Sequence, residues 1–306
     1  MKMVPLGKTG LLVPAVAVGC MRFSEMSPAE MNRFIHEALS CGANFFDHAD
    51  IYGGGKSESI FGEACKGDGS IRREDLLLQS KCSICPDCYD SSKTHILQAV
   101  DGILQRLHTD YLDVLLLHRP DALMEPEEAA EAFQLLADAG KVRYFGVSNY
   151  KPMQIALLQQ SVAQGLVVNQ LQFSLPVSNL VASGMEVNME TPGSVDHDGS
   201  ALDYCRLQKI TIQAWSPFQM PAWKGCFLGS GEYAPLNQAL EELGASYGVT
   251  ATAIAAAWIM RHPAQMQLIA GTTNARRLKE IADASRLQLT RQEWYKLYLA
   301  AGHILP

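Results

Sequence analysis

Eight short runs that read as buried strands alternate along the chain with segments whose apolar residues recur at helical spacing. The runs cover 15–19, 43–47, 76–81, 114–118, 143–148, 167–173, 210–215 and 267–271. Between them the period changes. Ser27 followed by Pro28 reads as an N-cap with proline at the first helical position, Met31, Phe34, Ile35, Ala38 and Leu39 share one face, and Gly42 ends the helix. A second helix is expected from Ser91, with Ile96, Ala99, Val100, Ile103, Leu104 and Leu107 as its stripe. Further helical patterns cover 126–139, 152–163, 199–207, 235–247, 250–262 and 275–285. Eight strands, each followed by a helix and with no linker between halves, predict an α/β fold: a parallel (β/α)₈ TIM barrel forming a single domain over 1–306.

Two additions flank this pattern. Residues 1–14 read as a small β-hairpin with a Lys-Thr-Gly turn, placed to plug the bottom of the barrel. Thr290 and Glu293 form a capping box that opens an extra C-terminal helix. The stretches 176–199 and 217–234 are expected to be long loops, and loops of that length in a barrel are usually functional lids.

Composition narrows the function classes. The 306 residues are 48% hydrophobic and 19% charged, with a net charge of −7, and no basic cluster longer than a pair. That balance lacks the electrostatic footprint of a nucleic-acid binder. The apolar runs are too short to span a bilayer, no signal-peptide pattern opens the chain, and eight cysteines are too sparse for a disulfide scaffold. These features predict a cytoplasmic setting with neither nucleic acid nor membrane as partner.

In a (β/α)₈ enzyme the chemistry lies at the C-terminal strand ends. Here those ends are polar: Asp47-His48-Ala49-Asp50-Ile51-Tyr52, Lys81, His118-Arg119, Ser148-Asn149, Gln170 and Trp215-Ser216-Pro217-Phe218. Polar residues often mark where one strand stops. Asp, Tyr, Lys and His closing three successive strands are better explained by a common site.

With these residues in this order, the chain resembles the aldo-keto reductase superfamily from its Leu-Gly-Lys-Thr-Gly hairpin to the segment after the eighth strand. The matching motifs are Asp47-x4-Tyr52-Gly53, Ser57-Glu58-x2-Phe61-Gly62, Lys81, Leu-Leu-Leu-His118, Gly146-Val147-Ser148-Asn149, Gln170 and Trp215-Ser216-Pro217. The resemblance implies a catalytic tetrad of Asp47, Tyr52, Lys81 and His118 and reduction of an aldehyde or ketone with NADPH. Tyr52 would give the proton, an adjacent Lys81 ammonium would lower the phenol from its usual pKa of about 10, and Asp47 would hold Lys81. His118 would aim a hydrogen bond at the substrate oxygen.

The same resemblance implies the cofactor contacts. Ser148, Asn149 and Gln170 would bond the nicotinamide carboxamide, Trp215 would stack on the ring or else serve as a core aromatic, and Ser216, followed by Phe218, would meet the pyrophosphate. Gly271-Thr272-x4-Arg277 matches the segment for the adenosine 2′-phosphate, a strand end with a hydroxyl and an arginine that also reads as an anion site on chemistry alone. Two positions depart from the family pattern: Gly271 stands where many relatives have lysine, and Ile281 where they have asparagine, leaving Glu280 to reach the adenine amino group.

Met21, Arg22, Arg119 and Trp223 are expected against a small-molecule carbonyl substrate, with His48 as a pocket wall or a second hydrogen-bonding group. Met185 and Met189 add adaptable apolar surface. Other signals carry less. Gly53-Gly54-Gly55-Lys56-Ser57 imitates a P-loop, but residue 50 is aspartate where the motif needs glycine. Cys82, Cys85 and Cys88 are spaced as C-x2-C-x2-C and lack a clear fourth ligand, so no metal is expected. Two rivals from other classes stand beside the reductase: a Schiff-base aldolase using Lys81, and a nicotinamide-binding, redox-sensing partner of another protein. The chain is expected to be a monomer or a weak homo-oligomer.

Overall fold

The computed structural model describes residues 1–306. Eight parallel strands close on themselves: β3 (Val16–Gly19), β4 (Phe45–Asp47), β5 (Leu77–Cys82), β6 (Leu112–Leu117), β7 (Val142–Ser148), β8 (Leu166–Gln172), β9 (Thr211–Trp215) and β10 (Gln267–Ala270). Pairing of Leu268, Ile269 and Ala270 with Val16, Ala17 and Val18 shuts the ring. All eight strands expected from the apolar runs are present, with ends moved by one or two residues.

The N-terminal hairpin, β1 (Met3–Pro5) against β2 (Leu12–Pro14), is antiparallel and lies across the N-terminal end of the barrel. Gly7 donates its N–H to the Thr211 hydroxyl at the start of β9 (2.7 Å), and that hydroxyl donates to the Pro5 carbonyl (2.8 Å). Gly7 has φ +54° and packs directly on the Val167 backbone, so this turn admits no side chain.

Helices form the outer layer. α1 (Pro28–Ser40) carries the capping box of Ser27 and Glu30, and its buried residues Met31, Phe34, Ile35 and Ala38 are the stripe read from the sequence. It is followed by α2 (Lys56–Lys66), α3 (Lys93–Leu107), α4 (Pro126–Asp138) and α5 (Pro152–Ser161). α3 begins one residue later than expected. The cap is the Ser92 hydroxyl, which accepts from His95 N–H at 3.3 Å.

The 176–199 stretch is not an irregular loop, since it contains α6 (Asn179–Met185). Leu180, Val181 and Ala182 bury its inner side, a segment too short for its helical period to stand out in the sequence. The remaining helices are α7 (Ala201–Gln208), α8 (Ala234–Tyr247), α9 (Ala251–Met260), α10 (Ala275–Ala284) and the extra α11 (Arg291–Ala300). α11 docks through Trp294, which stacks on Trp258 of α9 at 4.7 Å, each indole N–H donating to the other residue's carbonyl at 3.0 Å. No single helix is long and apolar enough to cross a membrane.

Candidate active site

The strand period of two decides which side chains enter the barrel. Asp47 ends β4 and Lys81 lies on β5, two residues beyond Gln79, the register partner of Asp47. Both point inward. The Lys81 ammonium is fully enclosed and has three acceptors: Asp47 Oδ1 at 2.7 Å, the His48 carbonyl at 2.7 Å and the Tyr52 hydroxyl at 3.2 Å. An ammonium has three protons to donate, so this set is complete.

Tyr52 reaches that point through a tight turn, because Gly53, Gly54 and Gly55 all take positive φ (+59°, +64° and +88°) before α2 begins. Burial pushes the Tyr52 phenol above its usual range, and Lys81 pulls it part of the way back. The lowering expected from the sequence is therefore outweighed by desolvation. Lys81 responds the other way: burial alone would lower it, but Asp47 and Tyr52 raise it above its ordinary value, so it stays charged.

The His118 ring meets the Tyr52 ring edge-on, with centroids 6.1 Å apart. Burial, then Lys81 and Arg119, depress it to about 2, which keeps the imidazole neutral at any working pH. Its Nδ1 is buried without a partner.

His48 is not a pocket wall. Because Asp47 faces inward, its neighbour faces outward, where the His48 ring packs at 4.7 Å against Phe61 of α2 with no exposure. Only its backbone carbonyl takes part in the site.

The next group of expected contacts forms a connected rim. Ser148 donates to the Gln170 carbonyl at 3.0 Å, Asn149 Nδ2 donates to the Ser148 hydroxyl at 2.8 Å, and Trp215 Nε1 donates to Asn149 Oδ1 at 3.0 Å. Asn149 and Ser216 both take positive φ (+62° and +51°), turning the ends of β7 and β9 over the barrel mouth. Trp223, mostly exposed, stacks on Trp215 at 5.3 Å, and the Arg119 guanidinium lies 5.8 Å from the Trp215 ring. Phe218 is half-buried against the core, and Met21 is exposed.

At the end of β10, Thr272 is buried while Arg277 is exposed and has no carboxylate partner. Glu280, expected at the adenine amino group, pairs with Arg276 at 3.5 Å and accepts from the Thr250 hydroxyl at 3.3 Å. Arg22, expected with the substrate, instead directs Nη1 to the Gly271 carbonyl at 3.5 Å. A guanidinium thus reaches the position where the glycine removes a lysine. Of the cysteines, Cys82 is buried in β5 and Cys88 is exposed, and no three His, Cys, Asp or Glu side chains converge as metal ligands.

The Aldo/keto reductase family profile matches residues 15–298. The chain belongs to the aldo-keto reductase family. It is 34% identical over 288 residues to the 6-dehydroglucose reductase of Agrobacterium fabrum, covering 91% of this chain and 90% of that one. It is 28% identical over 290 residues to a probable voltage-gated potassium channel subunit beta of Oryza sativa subsp. japonica, covering 90% and 88%. Among solved structures, a thermostable aldo-keto reductase in complex with the inhibitor epalrestat superposes with a TM-score of 0.77 at 25% identity, covering 98% of this chain and all of the other. The fold and the family together support an oxidoreductase that acts on carbonyl groups.

Sequence reading misses one titrating group. Asp50, just past β4, has a buried Oδ1 without a partner, and burial followed by the nearby Glu58 charge pushes its carboxyl up to about 7. Unfolded, it titrates near pH 4. Between about pH 4 and 7 the unfolded chain has therefore released a proton that the folded chain keeps, so this group's contribution falls as pH rises through that window. Asp50→Asn, which cannot ionise, is expected to exceed wild type in thermal stability by an amount that grows from pH 5 to pH 8, reaching about 1–3 kcal/mol. A difference independent of pH would contradict the assignment.

Proposed function

We propose that this aldo-keto reductase uses NADPH to reduce an aldehyde or ketone to the alcohol, with Tyr52 as proton donor. The observation that carries the reading is the enclosed Lys81 ammonium, bonded at once to Asp47 and Tyr52. We read residues 1–306 as one catalytic unit, since hairpin, barrel and α11 contribute to the same apolar core.

The residues present suit a nicotinamide dinucleotide. Trp215 offers an indole ring beside the Ser148, Asn149 and Gln170 rim, which supplies donors and acceptors for a carboxamide. Ser216 and Phe218 follow in the same turn, at the place assigned to the pyrophosphate. Thr272 and the unpaired Arg277 suit a 2′-phosphate, and Arg22 adds a second guanidinium at Gly271.

Bound there, NADPH supplies hydride from nicotinamide C4 to the carbonyl carbon. Tyr52, kept protonated by burial, donates its O–H to the oxygen on which negative charge develops. Lys81 then faces the phenolate, and its charge, stabilised by Asp47, offsets the new anion from a fully buried position. Neutral His118 offers an N–H to the same oxygen without competing as an acid. Met21, Arg119 and Trp223 form the side of the mouth open to the substrate.

A Schiff base on Lys81 fits poorly, because that amine stays charged and all three of its protons are engaged. The likeness to a channel subunit gives a second reading, cofactor binding with negligible turnover. The rate of NADPH consumption over a panel of aldehydes, ketones and oxidised hexoses separates the two. The hexoses are included because the Agrobacterium relative is named for 6-dehydroglucose.

Tyr52→Phe is expected to lower kcat by at least about 10²-fold while NADPH affinity stays within about twofold, since the phenol acts on the substrate oxygen. Turnover within tenfold of wild type would refute the role. NADPH is expected to bind more tightly than NADH by about tenfold to a hundredfold, the value of one or two charge-assisted contacts. In Arg277→Ala the preference should fall towards parity, mainly through weaker NADPH binding. Titration of both cofactors by quenching of tryptophan fluorescence measures it, and equal dissociation constants in the wild type would mean that Arg277 serves elsewhere.

A further inference from the structure

The interior of a (β/α)₈ barrel is ordinarily packed with branched apolar side chains. Here it holds four glutamines: Gln79 on β5, Gln170 on β8, Gln213 on β9 and Gln267 on β10, three fully buried and Gln170 3% exposed. The mechanism above uses only Gln170. Each buried amide left unpaired costs roughly 1–3 kcal/mol, so three further amides at this depth require partners.

Those partners form a chain with a direction. At the barrel base, Gln267 Nε2 donates to the Pro14 carbonyl of the hairpin at 2.7 Å, a group that can only accept. Gln267 Oε1 consequently faces Gln213, whose Nε2 donates to it at 2.8 Å and to Gln79 Oε1 at 3.0 Å. Gln213 Oε1 takes Nε2 of Gln79 at 2.8 Å and Nε2 of Gln170 at 2.9 Å. Both of those amides direct their second N–H to Asp47 Oδ1, at 2.6 and 3.1 Å, the atom that also accepts from Lys81. With an acceptor fixed at each end, turning any one amide over would set oxygen against oxygen.

We propose that Gln79, Gln213 and Gln267 are positioning residues for the reduction site, carrying the orientation of the Pro14 carbonyl through the barrel to Asp47 and Gln170. Gln79, together with Gln170 and Lys81, places three donors on Asp47 Oδ1, which fixes that oxygen as the acceptor for Lys81. Gln213 and Asp47 between them engage both N–H groups of Gln170, leaving its Oε1 as the free end and making it an acceptor for a carboxamide N–H. The inference rests on the reading of the site as nicotinamide-dependent.

The test compares wild type with Gln213→Met and Gln267→Met, in which an unbranched side chain of similar length lacks the amide and which touch neither Asp47 nor Lys81. Dissociation constants are measured by tryptophan fluorescence for NADPH and for its reduced 3-acetylpyridine analogue, which keeps the carbonyl and replaces the amino group by methyl. Wild type should favour NADPH by about tenfold, and Gln213→Met should narrow that preference to about threefold, because Gln170 then keeps only its bond to Asp47 and is held less firmly. In the same variant the basic limb of the pH profile for reduction should rise by about half to one unit, since Gln79 and Gln170, released from Gln213, hold Asp47 less firmly and phenolate formation at Tyr52 becomes harder, while KM for the carbonyl stays near wild type. Folded variants that keep wild-type discrimination and pH profile would overturn the proposal, as would a wild type that does not discriminate. Failure of both variants to fold would assign the amides to stability alone and reject the positioning role. A wild type that binds no nicotinamide and reduces no carbonyl would overturn the proposed function and the inference with it, whereas failure of the inference alone leaves wild-type binding and turnover intact.

Discussion

An ammonium sealed inside a barrel is the constraint from which the upper half of this molecule follows. Taking a charge of that size out of water costs several kcal/mol even after relaxation, and only excellent geometry recovers it. Lys81 has that geometry through Asp47, Tyr52 and the His48 carbonyl, drawn from the end of the neighbouring strand and the turn beyond it. Removing any one would leave a buried proton without an acceptor. The glycine turn at 53–55 and the packing of His48 on Phe61 both serve to keep those acceptors in reach.

The same constraint extends downward. One ammonium alone does not fix the Asp47 oxygen that it meets, and Gln79 and Gln170 add two further donors to that same oxygen from below. It ends on the hairpin, so the small sheet that closes the barrel base is joined by hydrogen bonds to the site at its opposite end. A barrel filled with branched apolar residues would be simpler to pack, but it would offer Asp47 no donors.

Much of this architecture is legible in the amino-acid sequence. The eight strands show as apolar runs because a barrel strand is covered on both sides, and the N-cap at Ser27 and the capping box at Thr290 mark helix starts through local hydrogen bonds that need no tertiary context. Asp47, Tyr52, Lys81 and His118 stand out as polar residues at strand ends, and the fold brings all four to one point. What stays hidden depends on which way a side chain points or on long-range partners. His48 reads like its neighbour until strand alternation turns it outward. Arg22 meets Gly271 only in the fold, 249 positions along the chain. The glutamines carry a visible signal, polar residues at alternate positions of otherwise buried strands, which is easily taken for a ragged strand end.

The central claim is that the buried Lys81 charge makes Tyr52 able to complete a hydride transfer to a carbonyl. The most direct measurement follows deuterium from the C4 position of labelled NADPH into the alcohol by mass spectrometry, in wild type and in Lys81→Met, with cofactor binding measured alongside. The account predicts a product one mass unit heavier at the carbinol carbon in wild type, and at least about a 10²-fold slower appearance of that product in Lys81→Met with NADPH still bound. Label transfer at the wild-type rate by the Lys81→Met enzyme, or a wild-type alcohol without label, would contradict it.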